Sequence, residues 1–201
     1  MAHTIAVARR ASSAWRPGVP SAPSGFAPGD VPAVVAVLDH AAARLAAAGI
    51  RRWPRRFDPD WVRPAVDRGE TWLVWIGDSV AGTVTLDWQD RLWTDHAVRA
   101  AYVHRLAVER WAAGAGILVL DWAAGRARDR DATAVRLDCV AANAGLRAYY
   151  ERAGFRHRGD VEVGGAPGQR DDGGPRTVVS RYERSVRMSP DAVGGDAGGR
   201  Q

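Results

Sequence analysis

The sequence predicts one α/β (α+β) domain built on a mixed, mostly antiparallel central sheet flanked by helices. Three observations carry this. Two β-branched and aromatic runs, residues 71–76 and 80–88, are separated by Gly77, Asp78 and Ser79, which is a hairpin signal. A strand–helix–strand unit spans residues 100–140, the kind of crossover that parallel strands require. Two more strand-like runs, 155–163 and 177–184, end the domain as an antiparallel pair.

Taken in order, residues 5–9 are a candidate first strand. Residues 11–29 are rich in Ser, Pro, Gly and Ala without periodicity, so 1–29 is expected to be a partly disordered strand and loop extension. The domain proper is expected over 30–187. Asp30 is a good N-cap with Pro32 in the first turn, and Val34, Val37, Leu38, Ala41 and Leu45 recur at helical spacing until Gly49. Trp53 and Pro54 sit in a stiff loop, and a short helix is expected over about 59–68. The hairpin follows, then a polar loop holding Trp93 and Asp95. Next come a strand at 100–108, a helix at 116–129, a strand at 134–140, a helix at 143–153 and the closing pair. Residues 188–201 are mostly Gly, Asp and Ala, a tail too polar to offset its own chain entropy.

Composition narrows the function classes. Of 201 residues, 46% are apolar and 25% charged, which suits one globular domain with a real core. No apolar run is long enough for a membrane helix, and the first residues place their arginines after the apolar stretch, the reverse of a secretory signal. The single cysteine, Cys139, has no thiol partner for a disulfide or a thiolate metal site, so a reducing, cytoplasmic setting is expected. Net charge is +5 and every basic residue is arginine, but these are scattered, without the aromatic–basic interleaving of a nucleic-acid surface. Neither nucleic acid nor membrane is expected as a partner. Monomer and homodimer remain open.

The chemistry gathers where the strand at 102–108 runs into Gly114-Ala115-Gly116 and then a helix. Unpaired N–H groups at a helix start, the positive end of the helix dipole and close-approaching glycines suit a phosphate. A plain tight strand–helix turn is the alternative. The segment Leu137-Asp138-Cys139-Val140, then Asn143, then Tyr149-Tyr150-Glu151-Arg152-Ala153-Gly154-Phe155 adds a second signal. Together with Leu106-Ala107-Val108 and the element order, it resembles the GNAT superfamily of N-acetyltransferases. The likeness covers roughly residues 30–184 in element order and is specific over about 102–159.

That resemblance implies a GNAT-like sheet and an acyltransferase that uses acetyl-CoA and no metal, acting on a primary amine of a small molecule or peptide by direct attack. It implies that Leu106, Ala107 and Val108 offer backbone groups to the pantetheine arm. Gly114, Ala115, Gly116 and Ile117 would present N–H groups to the diphosphate, with Asn143 near the pantetheine. Tyr150 would protonate the leaving thiolate, a task suited to a phenol of ordinary pKa near 10; the competing reading is a half-buried core aromatic. The strand 102–108 is similar to that of arylalkylamine acetyltransferases, in which two histidines alternate before Leu-Ala-Val. Here Tyr102 and His104 hold those places on one face of the strand. His104 is the candidate base, with a hydrogen-bonded sheet histidine as the alternative and Glu109 and Asp138 as weaker candidates.

Five residues separate Val108 from Gly114, about two fewer than the family pattern, and Trp111 stands where the family has Gln or Arg. Reading the motif from Ala113 to Leu118 instead would cost the helix two residues. The short loop is the sole support for an alternative class, a catalytically impaired GNAT-like binding or regulatory module. Trp53, Trp72, Trp75, Trp88 and Trp93 invite an aromatic acceptor pocket. Trp53 and Trp93 lie on the loops that in this family shape it, where a protonated amine would gain from cation–π attraction.

Overall fold

The computed structural model describes residues 25–50, 53–95, 97–164 and 176–186. The candidate strand at 5–9 and the tail at 188–201 lie outside these residues. One seven-stranded sheet organises the chain in the order β1-β2-β3-β4-β5-β7-β6. Its strands are β1 (Gly25–Pro28), β2 (Thr71–Ile76), β3 (Ser79–Asp87), β4 (Ala100–Val108), β5 (Ala134–Val140), β6 (Arg156–Val163) and β7 (Thr177–Ser185). Every pairing is antiparallel except β4 with β5. The helices are α1 (Val31–Ala47), α2 (Pro59–Asp67), α3 (Ala115–Arg128) and α4 (Ala144–Arg152).

Local chemistry explains most boundaries. Asp30 Oδ1 accepts the Ala33 N–H at 2.9 Å and starts α1, while Asp58 Oδ1 accepts from Asp60 N at 2.9 Å and starts α2. The hairpin turn carries Gly77 at φ 58°, a left-handed conformation that favours glycine. β1 departs from expectation. It lies inside the stretch expected to be irregular, yet Gly25–Pro28 pairs with Trp72–Trp75 and Phe26 stacks on Trp122 with ring centroids 4.3 Å apart. Tertiary partners, not alternation within four residues, make it a strand.

The alternation of side chains across the sheet builds two cores. Val74, Val84, Leu86, Val103, Val135 and Leu137 pack with Val119, Leu120 and Ala123 of α3 and with Tyr150 and Phe155. On the other face, Leu73 and Ala107 pack with Val34, Leu38 and Val62 of α1 and α2. Leu38 is fully buried, and truncating such a side chain to Ala costs about 2–5 kcal/mol. Among the described residues no helix is long and apolar enough to cross a membrane.

Two irregularities open the sheet. β4 and β5 pair only over Ala100↔Ala134, Ala101↔Val135 and Tyr102↔Arg136, although both strands continue well beyond. Along the other edge of β4, Thr85 faces His104 but Thr83 faces Ala107, so β4 carries one extra residue. That is a β-bulge, and Arg105 sits in it at φ 49°, a costly conformation for a non-glycine residue. The bulge bends β4 away from β5. It also shifts the alternation by one, bringing Ala107 to the face that His104 occupies.

Candidate active site

The parted strands border a cavity of about 750 Å³, roofed on one side by α1 and α2 and reached on the other by α4. Residues 103–108 of β4 and 138–140 of β5 supply its walls, with Asn143, Leu146 and Tyr150 facing from α4 and its cap. Because pairing stops at Tyr102, the β5-side edge of β4 beyond it has no ladder partner in β5. Leu106, Ala107 and Val108 all line this opening. The Val108 carbonyl accepts from the Arg44 guanidinium at 2.5 Å, which ties β4 to α1.

Tyr150 also lines the cavity, although only 6% of its surface is exposed. Burial drives its phenol above the ordinary value near 10, and Cys139, Asp138 and Tyr149 add to the shift. The group therefore keeps its proton throughout the neutral range. Asn143 caps α4, accepting Leu146 N at 3.0 Å through Oδ1, a bond that leaves its amide NH₂ unused. The capping role was not part of the sequence reading, although Asn is a preferred N-cap.

Residues Arg110–Ala112 form a 3-10 turn, Gly114 takes φ 98° as the N-cap, and no side chain caps the helix. α3 starts at Ala115, one residue before the expected Gly116, which keeps the Gly114-Ala115-Gly116 register. A Cβ at Gly116 would lie 2.7 Å from the Tyr149 hydroxyl, so any larger residue there would displace that side chain. Gly114, Ala115, Gly116 and Ile117 do not line the cavity itself but stand beyond it, where β4 ends.

His104 borders the cavity in a group the sequence did not bring together. Its Nε2 lies 3.8 Å from Asp90 Oδ2, and the polar atoms of Asp90, His104 and Asp138 all lie within 4.8 Å of one another. Asp90 was missed because its one local signal, capping the turn Arg91–Trp93, marks structure and not chemistry. Glu109 stands at the far end of β4, bound to His40 at 2.8 Å and Arg44 at 3.5 Å. Cys139 lines the cavity too, and burial pushes its thiol up to about 12.

The aromatic candidates divide. Trp53 lines the cavity, edge-on to Phe57 at 5.2 Å, and Trp61 of α2, which the sequence reading did not single out, joins it there. Trp93 and Tyr102 do not line it. They are 3% and 6% exposed in a small core with Ala100 and Ala134. The shared face of Tyr102 and His104 is as expected, but Tyr102 sits where β4 and β5 are still paired. There its hydroxyl accepts from the buried Arg136 at 3.1 Å, and the Arg136 guanidinium stacks 4.5 Å from the Trp93 ring. These two aromatics build the closed end of the sheet.

In this open mixed sheet the middle strands part beside a buried phenol, and α3 starts without a side-chain cap where β4 ends. The chain belongs to the acetyltransferase (GNAT) family, whose model matches residues 37–155. It is therefore an acyltransferase. The N-acetyltransferase YesJ of Bacillus subtilis is 29% identical over 141 residues, covering 65% of this chain and 78% of YesJ. A GNAT-family acetyltransferase from Listeria monocytogenes shares the fold with a TM-score of 0.61 at 22% identity, over 80% of this chain and 91% of that one. The Salmonella typhimurium protein yncA, solved with its cofactor acetyl-CoA, superposes with a TM-score of 0.56 at 13% identity, over 86% of this chain and 98% of yncA.

Proposed function

We propose that this enzyme transfers an acetyl group from acetyl-CoA to a primary amine of a small molecule or peptide by direct attack. The observation that carries the reading is the parting of β4 from β5 after three pairs, beside a protonated phenol. The residues fit the donor: an unpaired strand edge at Leu106, Ala107 and Val108 suits the amide-bearing pantetheine arm. The N–H groups of Ala115, Gly116 and Ile117 suit the diphosphate, with Asn143 beside the arm. Bound there, the donor supplies an activated thioester carbonyl.

The chain's own groups divide the proton work. His104 takes one proton from the acceptor's ammonium, freeing the nitrogen lone pair. Backbone N–H groups near Leu106 and Ala107 polarise the carbonyl. Tyr150 gives its proton to the leaving sulfur, and the second amine proton restores the phenol. One C–N bond forms, one C–S bond breaks, and one proton leaves the enzyme through His104. Cys139 supports direct attack over an acetyl-cysteine route, since a thiol lifted to about 12 carries almost no thiolate at neutral pH.

Trp53 and Trp61 form an apolar wall at the acceptor end, which favours amines with some hydrocarbon body. The test is a thiol-release screen with acetyl-CoA against amino acids, alkyl and aryl amines, aminoglycosides and peptides. Amine-dependent release with N-acetylated product supports the reading; its absence across the panel refutes it.

A further inference from the structure

The strands part in the middle of the sheet, and two positions beyond the last β4–β5 pair each strand carries a titratable side chain where a sheet interior is ordinarily apolar. His104 lies two positions past Tyr102 on β4, and Asp138 two positions past Arg136 on β5. Asp90 reaches the same point from the loop after β3 and is only 8% exposed. Three elements thus converge three polar side chains within 4.8 Å, at the wall of the cavity. Two carboxylates that close repel unless a positive charge lies between them. The third member of the group is an imidazole, which can carry that charge.

We propose that Asp90 and Asp138 are positioning residues for His104, orienting its ring and stabilising the imidazolium it becomes on taking the acceptor's proton. The proposal rests on the acetyl-transfer reading and gives the proton-accepting end its machinery. Asp90 is itself fixed, because its Oδ1 accepts Leu92 N at 2.8 Å while Oδ2 faces His104. In the step, an N–H bond of the ammonium breaks and an N–H bond on the ring forms. The imidazolium then releases that proton to water, so charge and atoms balance.

Asp87 from β3, Arg91 from the turn and Arg105 from β4 also border this part of the cavity. Arg105 is turned toward α2, donating to the Trp61 carbonyl at 3.2 Å, and burial lowers its pKa, though Asp87 opposes that. Asp90 and Asp138 are the carboxylates whose oxygens lie within 4.8 Å of a His104 ring nitrogen.

The experiment is a double-mutant cycle on the full chain, followed by thiol release with acetyl-CoA and the best amine from the panel. The variants are Asp90→Asn, Asp138→Asn, His104→Gln and the two Asn–Gln doubles. Asn at 90 retains the capping oxygen, so the turn it holds is preserved. Each Asn variant should lower kcat/KM by about tenfold and move the acid limb of its pH profile down by about half a unit or more. In the His104→Gln background, the same Asn substitutions should cost less than about twofold, because no imidazolium remains to stabilise. Additive losses in the doubles, an unmoved acid limb, or full activity of His104→Gln overturns the proposal and leaves acetyl transfer standing. Absence of transfer by the wild type to every amine overturns the acetyl-transfer reading and the proposal with it.

Discussion

Replacing Tyr150 with Phe removes one oxygen and nothing else, which makes it a clean probe of the acid role. The ring packs among Tyr149, Phe155 and Tyr182, with centroids 5.6, 5.9 and 5.9 Å away, and Phe keeps all three contacts. A shape-conserving change of this kind costs less than about 1.5 kcal/mol of stability, so folding is preserved. At its ordinary value near 10 a phenol is about one part in a thousand ionised at pH 7, and burial takes Tyr150 further toward the protonated form. The enzyme thus loses a fully loaded proton donor. General acid catalysis contributes about 10²-fold or more, so kcat should fall by at least that factor, or about 2.7 kcal/mol on the barrier. The assay is the initial rate of thiol release at saturating acetyl-CoA and amine, between pH 7 and 9. The loss should be the same across that range, because the phenol does not titrate within it. A kcat within twofold of wild type would remove Tyr150 from the chemistry.

Gly114→Ala forces a side chain into the left-handed conformation at φ 98°, which costs about 1–2 kcal/mol and tilts the first turn of α3; calorimetry should show weaker acetyl-CoA affinity with the far-UV spectrum unchanged. Cys139→Ala should retain turnover and give intersecting initial-velocity lines, whereas lost activity or parallel lines would indicate a covalent enzyme intermediate. Chelation by EDTA should leave the rate unchanged, since every step assigned here is proton chemistry on side chains and backbone. Glu183 feels burial, which opposes its charge, but Arg158 and Arg136 outweigh it and hold its carboxyl below the usual 4.5. The stabilisation is therefore complete above about pH 4.5 and fades as pH falls through the lower folded value, so urea midpoints should drop between pH 5 and 3. Glu183→Gln should flatten that drop; an equally steep one would assign acid lability elsewhere.

Much of this was legible in the sequence because local rules and tertiary demands agree. The hairpin around Gly77, the cap at Asp30 and the strand–turn–helix at Gly114 are written in residues whose own conformational preferences match their places. Tyr150, His104 and Asn143 share one cavity because the element order dictates which strand ends meet. What was not legible depends on partners distant in sequence. β1 is a strand only because an edge of β2 awaits it. The bulge at Arg105 has no glycine to announce it, although it sets which β4 residues share the face of His104. Trp93 and Tyr102 belong to the closed end of the sheet, a fact fixed by where β4 and β5 stop pairing. Asp90 gained its place beside His104 from the path of a loop, which periodicity cannot trace.

The central claim is that the gap between β4 and β5, continued by the start of α3, holds the acyl donor. A titration of isotopically labelled protein with acetyl-CoA, followed amide by amide in heteronuclear NMR spectra, tests it most directly. The account predicts saturable shifts at residues 106–108 and 115–117, with half-saturation between about 1 μM and 1 mM. Unmoved amides at both segments with several millimolar acetyl-CoA present, or saturable shifts confined to other parts of the sheet, would contradict it.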